Sequence, residues 1–333
     1  MVVLAYGGQE WLEAFLPALL RTDYPDLTIW VIDNGSSPEI ATWVRRHFPT
    51  VRVLRYEKNE GYAGGYQRFF AEYGRDVPYM AILNSDVEVT PNWLAPLVAR
   101  LEKCPRVAAV QPKILAWRDR AFFEYAGAAG GLIDAWGYPT CYGRGEKDTG
   151  QYNQPAQIFW ASGAAFIFRT QAVSDTLGGI LFKTHYFMHM EEIDLCWRLQ
   201  RAGWEIAYEP QSVVFHVGGA SLAQGHPRKV YYNFRNSLYL LWENLPKSER
   251  WWRVLWRMLL DLPAAFYLLL KGGYLHFWAV VQAHQDFWRY RRKPPASTSL
   301  PEVSYASLRG RLPKPQFFMK RPYRIQPLRC GEK

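Results

Sequence analysis

The 333-residue chain is 49% apolar and 16% aromatic, with 15 Trp, which supplies a substantial core and excludes wholesale disorder. Its net charge of +10 is unevenly placed: residues 226–333 hold 20 Lys and Arg against 6 Asp and Glu, net +14, whereas the other 225 hold 20 against 24, net −4. An acidic body argues against a general nucleic-acid binder, and a basic, aromatic-rich C-terminal part points to an anionic surface.

No uncharged apolar run of 18 residues occurs, so no transmembrane helix is expected. The start, MVVLAYGGQEW, lacks the basic region and long apolar stretch of a signal peptide. Cys104, Cys141, Cys196 and Cys330 form no CxxC pair and are expected to be reduced cytosolic thiols, without a disulfide framework or zinc site.

Taken in order, residues 2–6 read as a strand and residues 9–20 as an amphipathic helix with Trp11, Leu12, Phe15, Leu16 and Leu19 on one face. A buried strand over 27–32 ends at Asp33, and Ser37 with Pro38 reads as the N-cap and first position of a helix running to 48. A third strand is expected at 51–56, a Gly-rich loop leading into a helix at 59–73, and a fourth strand at 79–83 ending in Asn84-Ser85-Asp86. This alternation predicts an α/β fold with a mostly parallel sheet flanked by helices. Residues 111–159 read as loops and short strands, and 157–168 as one buried strand interrupted by Ser162-Gly163-Ala164. After a helix starting at the acids of MEEIDLCWRL come strands at 204–208 and 212–217, then helices at 230–243, 251–260, 263–270 and 274–290. The last forty residues, rich in Pro and basic side chains, read as extended or partly disordered.

In open parallel sheets, ligands bind beyond the carboxyl ends of the strands. Those ends carry Tyr6, Asp33, the Asn59 loop and Asp86 here. No GxGxxG follows the first strand, which argues against a nicotinamide-binding unit. Each candidate has a plainer reading. Asp33 fits an Asx-turn as well as a nucleobase or ribose contact, and His216 fits a structural histidine as well as a nitrogen ligand. Glu191, Glu192 and Asp194 suit the positive end of a helix dipole. In combination, a strand-end Asp, a strand-end His and a carboxylate cluster match what diphosphate departure needs: a divalent cation on oxygen and imidazole donors, and a base for the attacking hydroxyl.

The stretches VIDNGSS, NEGYAGGYQ, LNSDVEVTPNWL, FWASGAAFIFR, HMEEIDLCWRL and FHVGG, in this order over roughly residues 1–240, resemble family 2 glycosyltransferases of GT-A fold, close to the bacterial rhamnosyltransferase-like members. YYNFRNSLYLLWENLP and the helices after it resemble that subgroup's C-terminal extension. The resemblance implies nucleobase contacts at Tyr6 and Asp33, and a nucleoside border at Asn59 with Gly61 and Gly64. It implies a DXD-type motif at Asn84-Ser85-Asp86 with Asp86 as the main ligand of Mn²⁺ or Mg²⁺, and His216 completing that metal and diphosphate site. Glu192 falls on the base position, with Glu191 and Asp194 shaping the helix start and acceptor pocket, while Trp160, Ser162 and Gly163 would line the sugar or acceptor side. The sequence departs from the family at Ala5-Tyr6-Gly7-Gly8, where an Asn-Tyr-Asn-Gly pattern is usual, and in having Glu192 where many relatives have Asp.

These implications define an inverting transferase using a nucleotide-sugar donor (UDP- or dTDP-linked) and a glycan or lipid-linked acceptor, with a role in cell-surface polysaccharide assembly. The expected organisation is a catalytic domain at 1–235, an amphipathic helical extension at 236–292 and a basic Pro-rich tail at 293–333. Trp, Tyr, Phe and Leu interleave with Arg and Lys between 251 and 290, and Asp261 and Lys271 interrupt the apolar runs. Helices lying in an anionic membrane interface fit better than helices crossing it, which places the protein peripherally on the inner face of the plasma membrane. Packing on the catalytic domain or in a homo-oligomer is the other reading of these helices. No nucleic-acid motif is present. The alternative to an enzyme is a catalytically silent GT-A-like scaffold at the membrane, against which the Asp86, Glu192 and His216 trio speaks.

Overall fold

The computed structural model describes residues 1–36, 38–218, 225–292, 300–308, 326–328 and 330. Strands and helices alternate through the first part: β1 (Val2–Ala5), α1 (Gln9–Leu20), β2 (Trp30–Asn34), α2 (Pro38–His47), β3 (Arg52–Tyr56), α3 (Gly61–Tyr73) and β4 (Tyr79–Asn84). Pro38 opens α2 as expected. Ser37, the expected cap, lies outside the described residues. The chain continues through β5 (Val87–Val89), α4 (Leu94–Lys103), β6 (Val107–Ala116), β7 (Gly131–Ile133), β8 (Pro139–Cys141), β9 (Ala156–Ile158), β10 (Ala165–Arg169), α5 (Thr170–Thr176), α6 (Glu191–Arg201) and β11 (Glu205–His216). Helices α7 (Pro227–Asn244), α8 (Lys247–Gly272) and α9 (Tyr274–Tyr290) follow, then β12 (Gln326–Pro327).

The main sheet runs β12-β9-β11-β6-β10-β4-β1-β2-β3, with β5 added against β11. It is parallel across β4-β1-β2-β3 and again between β6 and β11, while β10 runs antiparallel between β4 and β6. Side chains alternate across the sheet as the pleat requires. Val2 and Ile82 face one apolar cluster, where α3, α5, α6 and the C-terminal helices pack; Val3 and Leu83 face the other, under α1, α2 and α4.

Several boundaries differ from those expected. Residues 157–168 belong to two strands: β9 pairs with β11, and β10 pairs with β4 and β6, with the Ser162-Gly163 turn between them. The two strands expected over 204–217 form one, because an irregularity between Glu209 and Val213 absorbs the break without ending the pairing to β6. Pro263 does not end a helix. It sits on the exposed side of α8, where the carbonyl deprived of its amide partner is not sealed in a core. Helix α7 runs unbroken from Pro227 to Asn244.

The expectation of four reduced thiols is corrected. Cys104, at the end of α4, and Cys330 form a disulfide with Cα atoms 5.0 Å apart, a separation within the normal range. Pairing of β12 with β9 carries the C-terminal segment back to this sheet edge, which spacing in the sequence does not reveal. Cys141 and Cys196 are buried free thiols. The described parts of the tail are also packed rather than loose: Tyr305 is buried with its hydroxyl on the Asp134 carbonyl, and Arg201 donates to the carbonyls of Leu300 and Pro301.

Helix α8 is amphipathic with the usual sense reversed. Val254, Arg257, Asp261 and Ala265 face inward, and Trp252, Leu255, Trp256, Leu259, Leu262 and Phe266 face outward and are exposed. The buried charges are neutralised in place. Arg257 pairs with Asp261 at 2.9 Å, and Asp261 also receives the Tyr138 hydroxyl at 2.8 Å and meets His284 at 3.2 Å. These contacts tie α8 to the β7–β8 hairpin and to α9. Among the described residues no helix is long and apolar enough to cross a membrane.

Candidate active site

The tips of β1, β2, β4 and β11 open on one side of the sheet. At the β1 tip Tyr6 projects outward, 61% exposed. Beside it, Asp33, the last but one residue of β2, is fully buried: its Oδ1 accepts from the Ser36 N–H and hydroxyl, while Oδ2 has no hydrogen-bond partner. Oδ1 thus forms the Asx-type turn, while Oδ2 lies 3.9 Å from Arg55 Nε on the neighbouring β3. Asn34 anchors the glycine loop to β2 by donating to Asn59 Oδ1 (3.1 Å) and to the Gly61 carbonyl (3.0 Å). Gly61 adopts φ +73°, and a Cβ there would lie 2.3 Å from the Phe187 carbonyl oxygen, so only glycine fits. Gly64 lies buried one turn into α3, against Glu60.

Asn84 ends β4, and its N–H donates to the Ala164 carbonyl. Ser85 makes the turn to Asp86 and β5. Because β5 pairs with β11 in a register that sets His216 opposite Val87, and the Val217 N–H donates to the Asp86 carbonyl, the side chains of Asp86 and His216 meet. His216 Nε2 is 3.3 Å from Asp86 Oδ1, and Nδ1 is 3.7 Å from Glu124 Oε2. Burial works against charging the imidazole, yet the carboxylates of Asp86 and Glu124 on its two sides outweigh it and push the ring up to about 10. The pocket therefore favours positive charge. Among the described residues no group of three or more His, Cys, Asp and Glu is arranged to hold a metal ion. Asp86 and His216 nevertheless fit a divalent cation that takes its remaining ligands from water and substrate phosphates, since one carboxylate and one imidazole converge there.

The acids of α6 stand at the start of a helix that packs with α3 on one face of the sheet. Phe187, His189 and Met190 all have positive φ (64°, 68° and 75°) in the turn that delivers Glu191 and Glu192. Such conformations in non-glycine residues cost energy and persist only when surrounding structure enforces them. Burial lifts Glu192 to about 7, against the pull of backbone N–H groups at the helix start. Burial and the neighbouring Glu192 charge lift Glu191 well above the usual carboxylate range. Both keep one buried oxygen, Oε2, without a hydrogen bond. Their charges are felt by Tyr62, whose hydroxyl donates to the Gly163 carbonyl at 2.5 Å. Tyr62 thereby ties α3 to the Gly163 turn, and the neighbouring Ala164 carbonyl accepts from the Asn84 N–H at the β4 tip.

Two expected site residues are committed elsewhere. Asp194, fully buried, accepts from Arg198 (2.7 Å), Lys183 (3.1 Å) and Asn244 (2.8 Å), which overcome burial and hold it far below the usual range; it ties α6 to α7. Trp160 is buried with its indole N–H on the Leu132 carbonyl, packed against Gly131. Ser162, by contrast, is held at the crevice by Gln111, which accepts from its N–H at 2.7 Å.

The sequence profile of glycosyl transferase family 2 matches residues 1–176, more than half of the chain. The chain belongs to that family. Over 299 residues this glycosyltransferase is 26% identical to N-acetylglucosaminyl-diphospho-decaprenol L-rhamnosyltransferase of Mycobacterium tuberculosis, covering 82% of the chain and 93% of that protein. It is 28% identical over 222 residues to the pre-mycofactocin glycosyltransferase of the same organism, covering 64% of the chain and 42% of that protein. Its fold matches S. aureus TarS 1-349 in complex with UDP-GlcNAc (TM-score 0.56, 13% identity, 86% of this chain and 79% of that one). It also matches GalNAc-T7 with UDP, GalNAc and Mn²⁺ (TM-score 0.56, 18% identity, 73% and 47%). The protein is thus a transferase with the GT-A architecture.

Sequence reading missed three residues that support the candidate site. Glu124 lies behind His216, Gln111 pins the Ser162 turn, and Asn236 of α7 donates to the carbonyls of Tyr186, Met188 and His189. Only Asn236 carried a sequence signal, since it lies in the YYNFRNS stretch; Glu124 and Gln111 sit in the Gly-rich middle, where no periodicity points inward.

Proposed function

We propose that the protein is an inverting glycosyltransferase that moves a sugar from a nucleotide-diphosphate donor to a hydroxyl of a glycan or lipid-linked acceptor in cell-surface polysaccharide assembly. What supports this reading is the meeting of Asp86 with His216 at the strand tips, together with two carboxylates at the start of α6, Glu191 and Glu192, that each keep an oxygen without a hydrogen bond. Asp33, Tyr6 and the Asn59–Gly61 loop border the nucleoside side, and Ser162 and Gly163 the sugar side. Glu192, poised near neutral pH, takes the proton of the acceptor hydroxyl as that oxygen bonds to the anomeric carbon and the bond to the nucleoside diphosphate breaks. A single displacement of this kind inverts the anomeric configuration. Asp86 and His216 would hold Mn²⁺ or Mg²⁺, which when bound offsets the charge of the departing diphosphate. The Mn²⁺ of GalNAc-T7 and the diphospho-decaprenol acceptor of the mycobacterial rhamnosyltransferase are in keeping with this reading.

Catalysis is assigned to residues 1–235, and peripheral attachment to the inner face of the plasma membrane to residues 236–292, with residues 293–333 adding basic charge. The outward apolar face of α8 and the net +14 of residues 226–333 support an anionic membrane as the partner. Assay of the purified protein against a panel of UDP- and dTDP-sugars tests the enzyme reading. Release of nucleoside diphosphate from at least one donor, lost in Asp86→Ala and Glu192→Gln, is the expected result. Donor binding without turnover across the panel would favour a silent scaffold.

A further inference from the structure

The two ring nitrogens of His216 face two different carboxylates, and only one of them belongs to the DXD-type turn. Nε2 points at Asp86 at the β4 tip, whereas Nδ1 points at Glu124, which lies in the loop following β6. That loop is fixed independently of β4 and β11. The Glu124 N–H donates to the Ile114 carbonyl, its Oε2 accepts from the Ala126 N–H, and the Ala126 carbonyl accepts from the Ser162 hydroxyl. Glu124 is buried, as is His216. Space for its carboxylate exists because residue 218 is glycine: a Cβ there would lie 3.0 Å from Glu124 Oε1, and φ +73° also favours glycine.

An imidazole binds a metal ion through an unprotonated nitrogen, and the other nitrogen then carries the proton. The partner of that second N–H sets both the tautomer and the ring orientation. We infer that Glu124 is a positioning residue that holds His216 with its proton on Nδ1, so that Nε2 is presented beside Asp86 to a divalent cation. Nδ1 and Oε2 lie 3.7 Å apart, and under this inference they stand at hydrogen-bond distance when the cation is bound. This inference rests on the cation reading of the proposed function.

The experiment measures Mn²⁺ binding to the full-length protein by the electron paramagnetic resonance signal of free Mn²⁺, without nucleotide or acceptor. Wild type, Glu124→Ala, Glu124→Gln and His216→Ala are compared. The expected result is an affinity about 10- to 100-fold weaker in Glu124→Ala. Glu124→Gln should recover part of the loss, because its amide oxygen still accepts from Nδ1–H. In the Mg²⁺-bound protein, ¹⁵N histidine spectra should show His216 protonated at Nδ1 in wild type and a mixture of tautomers in Glu124→Ala. Affinity within twofold of wild type in Glu124→Ala, with His216→Ala weakened, would overturn the role of Glu124 and leave the cation site standing. Unchanged affinity in His216→Ala would overturn the cation site and this inference with it. Should Glu124→Ala not fold, a wild-type tautomer and affinity in Glu124→Met, which fills the space without an oxygen acceptor for Nδ1–H, would overturn the inference.

Discussion

The side-chain amide of Asn236 lies 2.8 Å from the carbonyl oxygen of Met188 and 2.7 Å from that of His189. Arg235, its neighbour on α7, donates to the carbonyls of His185 and Tyr186. The helical extension therefore grips the backbone turn in which Phe187, His189 and Met190 hold left-handed conformations. Such residues cost on the order of 1–3 kcal/mol each, so the turn relaxes when its clamp is removed. Asn236→Ala is expected to lower kcat at least tenfold with little change in donor KM, because it displaces Glu192 and leaves the strand tips intact. Steady-state kinetics check this, and a normal kcat would show that the turn needs no clamp.

The pH dependence of turnover follows from the environment of Glu192. Burial raises its carboxyl to about 7, so the carboxylate, the proposed base, becomes the minority form below that pH. Turnover should fall about tenfold per pH unit below 7 and level off above it. Glu192→Gln removes this limb and lowers turnover by about 10²–10⁴-fold. A profile flat from pH 5 to 8 in the wild type would show that Glu192 is not the base.

Much of the fold was legible because its periodicities were strong. The alternating Val2–Ala5 and Tyr79–Asn84 strands and the apolar face of α1 are local signals, and they led to the crevice at the strand tips. The meeting of Asp86 with His216 was inferred from chemistry, and the β5–β11 register explains it. Glu124, Gln111 and the Cys104–Cys330 bond were not legible, since each depends on loops or edge strands whose partners lie far along the chain. Asp194 was read with its neighbours as a site acid, whereas the approach of Lys183 and Asn244 makes it an ion-paired anchor.

Two acids on the same helix should respond to pH with opposite sign. Asp194 is held far below its unfolded value of about 3.8 by Arg198 and Lys183, so its contribution is present above that value and lost as pH falls toward the folded one. Replacing it with Asn breaks a buried ion pair and should cost about 3–5 kcal/mol at neutral pH. Glu191 is raised above its unfolded value of about 4.5, so its buried carboxyl opposes folding increasingly as pH rises past that point. Glu191→Gln should therefore stabilise the protein at pH 8 and have little effect at pH 4. Denaturant melts at several pH values distinguish the two slopes.

The outward face of α8 gives the most direct test of where the protein works. Trp252, Trp256, Leu259 and Phe266 are each more than 40% exposed, while Arg257 and Asp261 on the opposite face are buried. A helix surrounded by water gains nothing from this inversion, because each exposed apolar side chain forgoes roughly 1.5–3 kcal/mol of burial. In a headgroup layer the same face enters the acyl boundary while Lys and Arg meet anionic lipid, each worth about 1 kcal/mol near the surface. Flotation with vesicles containing phosphatidylglycerol should capture the wild type at low salt and lose it at high salt. Serine at all four positions should abolish capture even at low salt, while donor hydrolysis, which depends on residues of the strand tips and α6, stays near the wild-type rate. Capture that survives the four substitutions would assign the attraction to the basic residues alone. No capture of the wild type at low salt would leave the apolar face without a membrane and make a second protein surface its required cover.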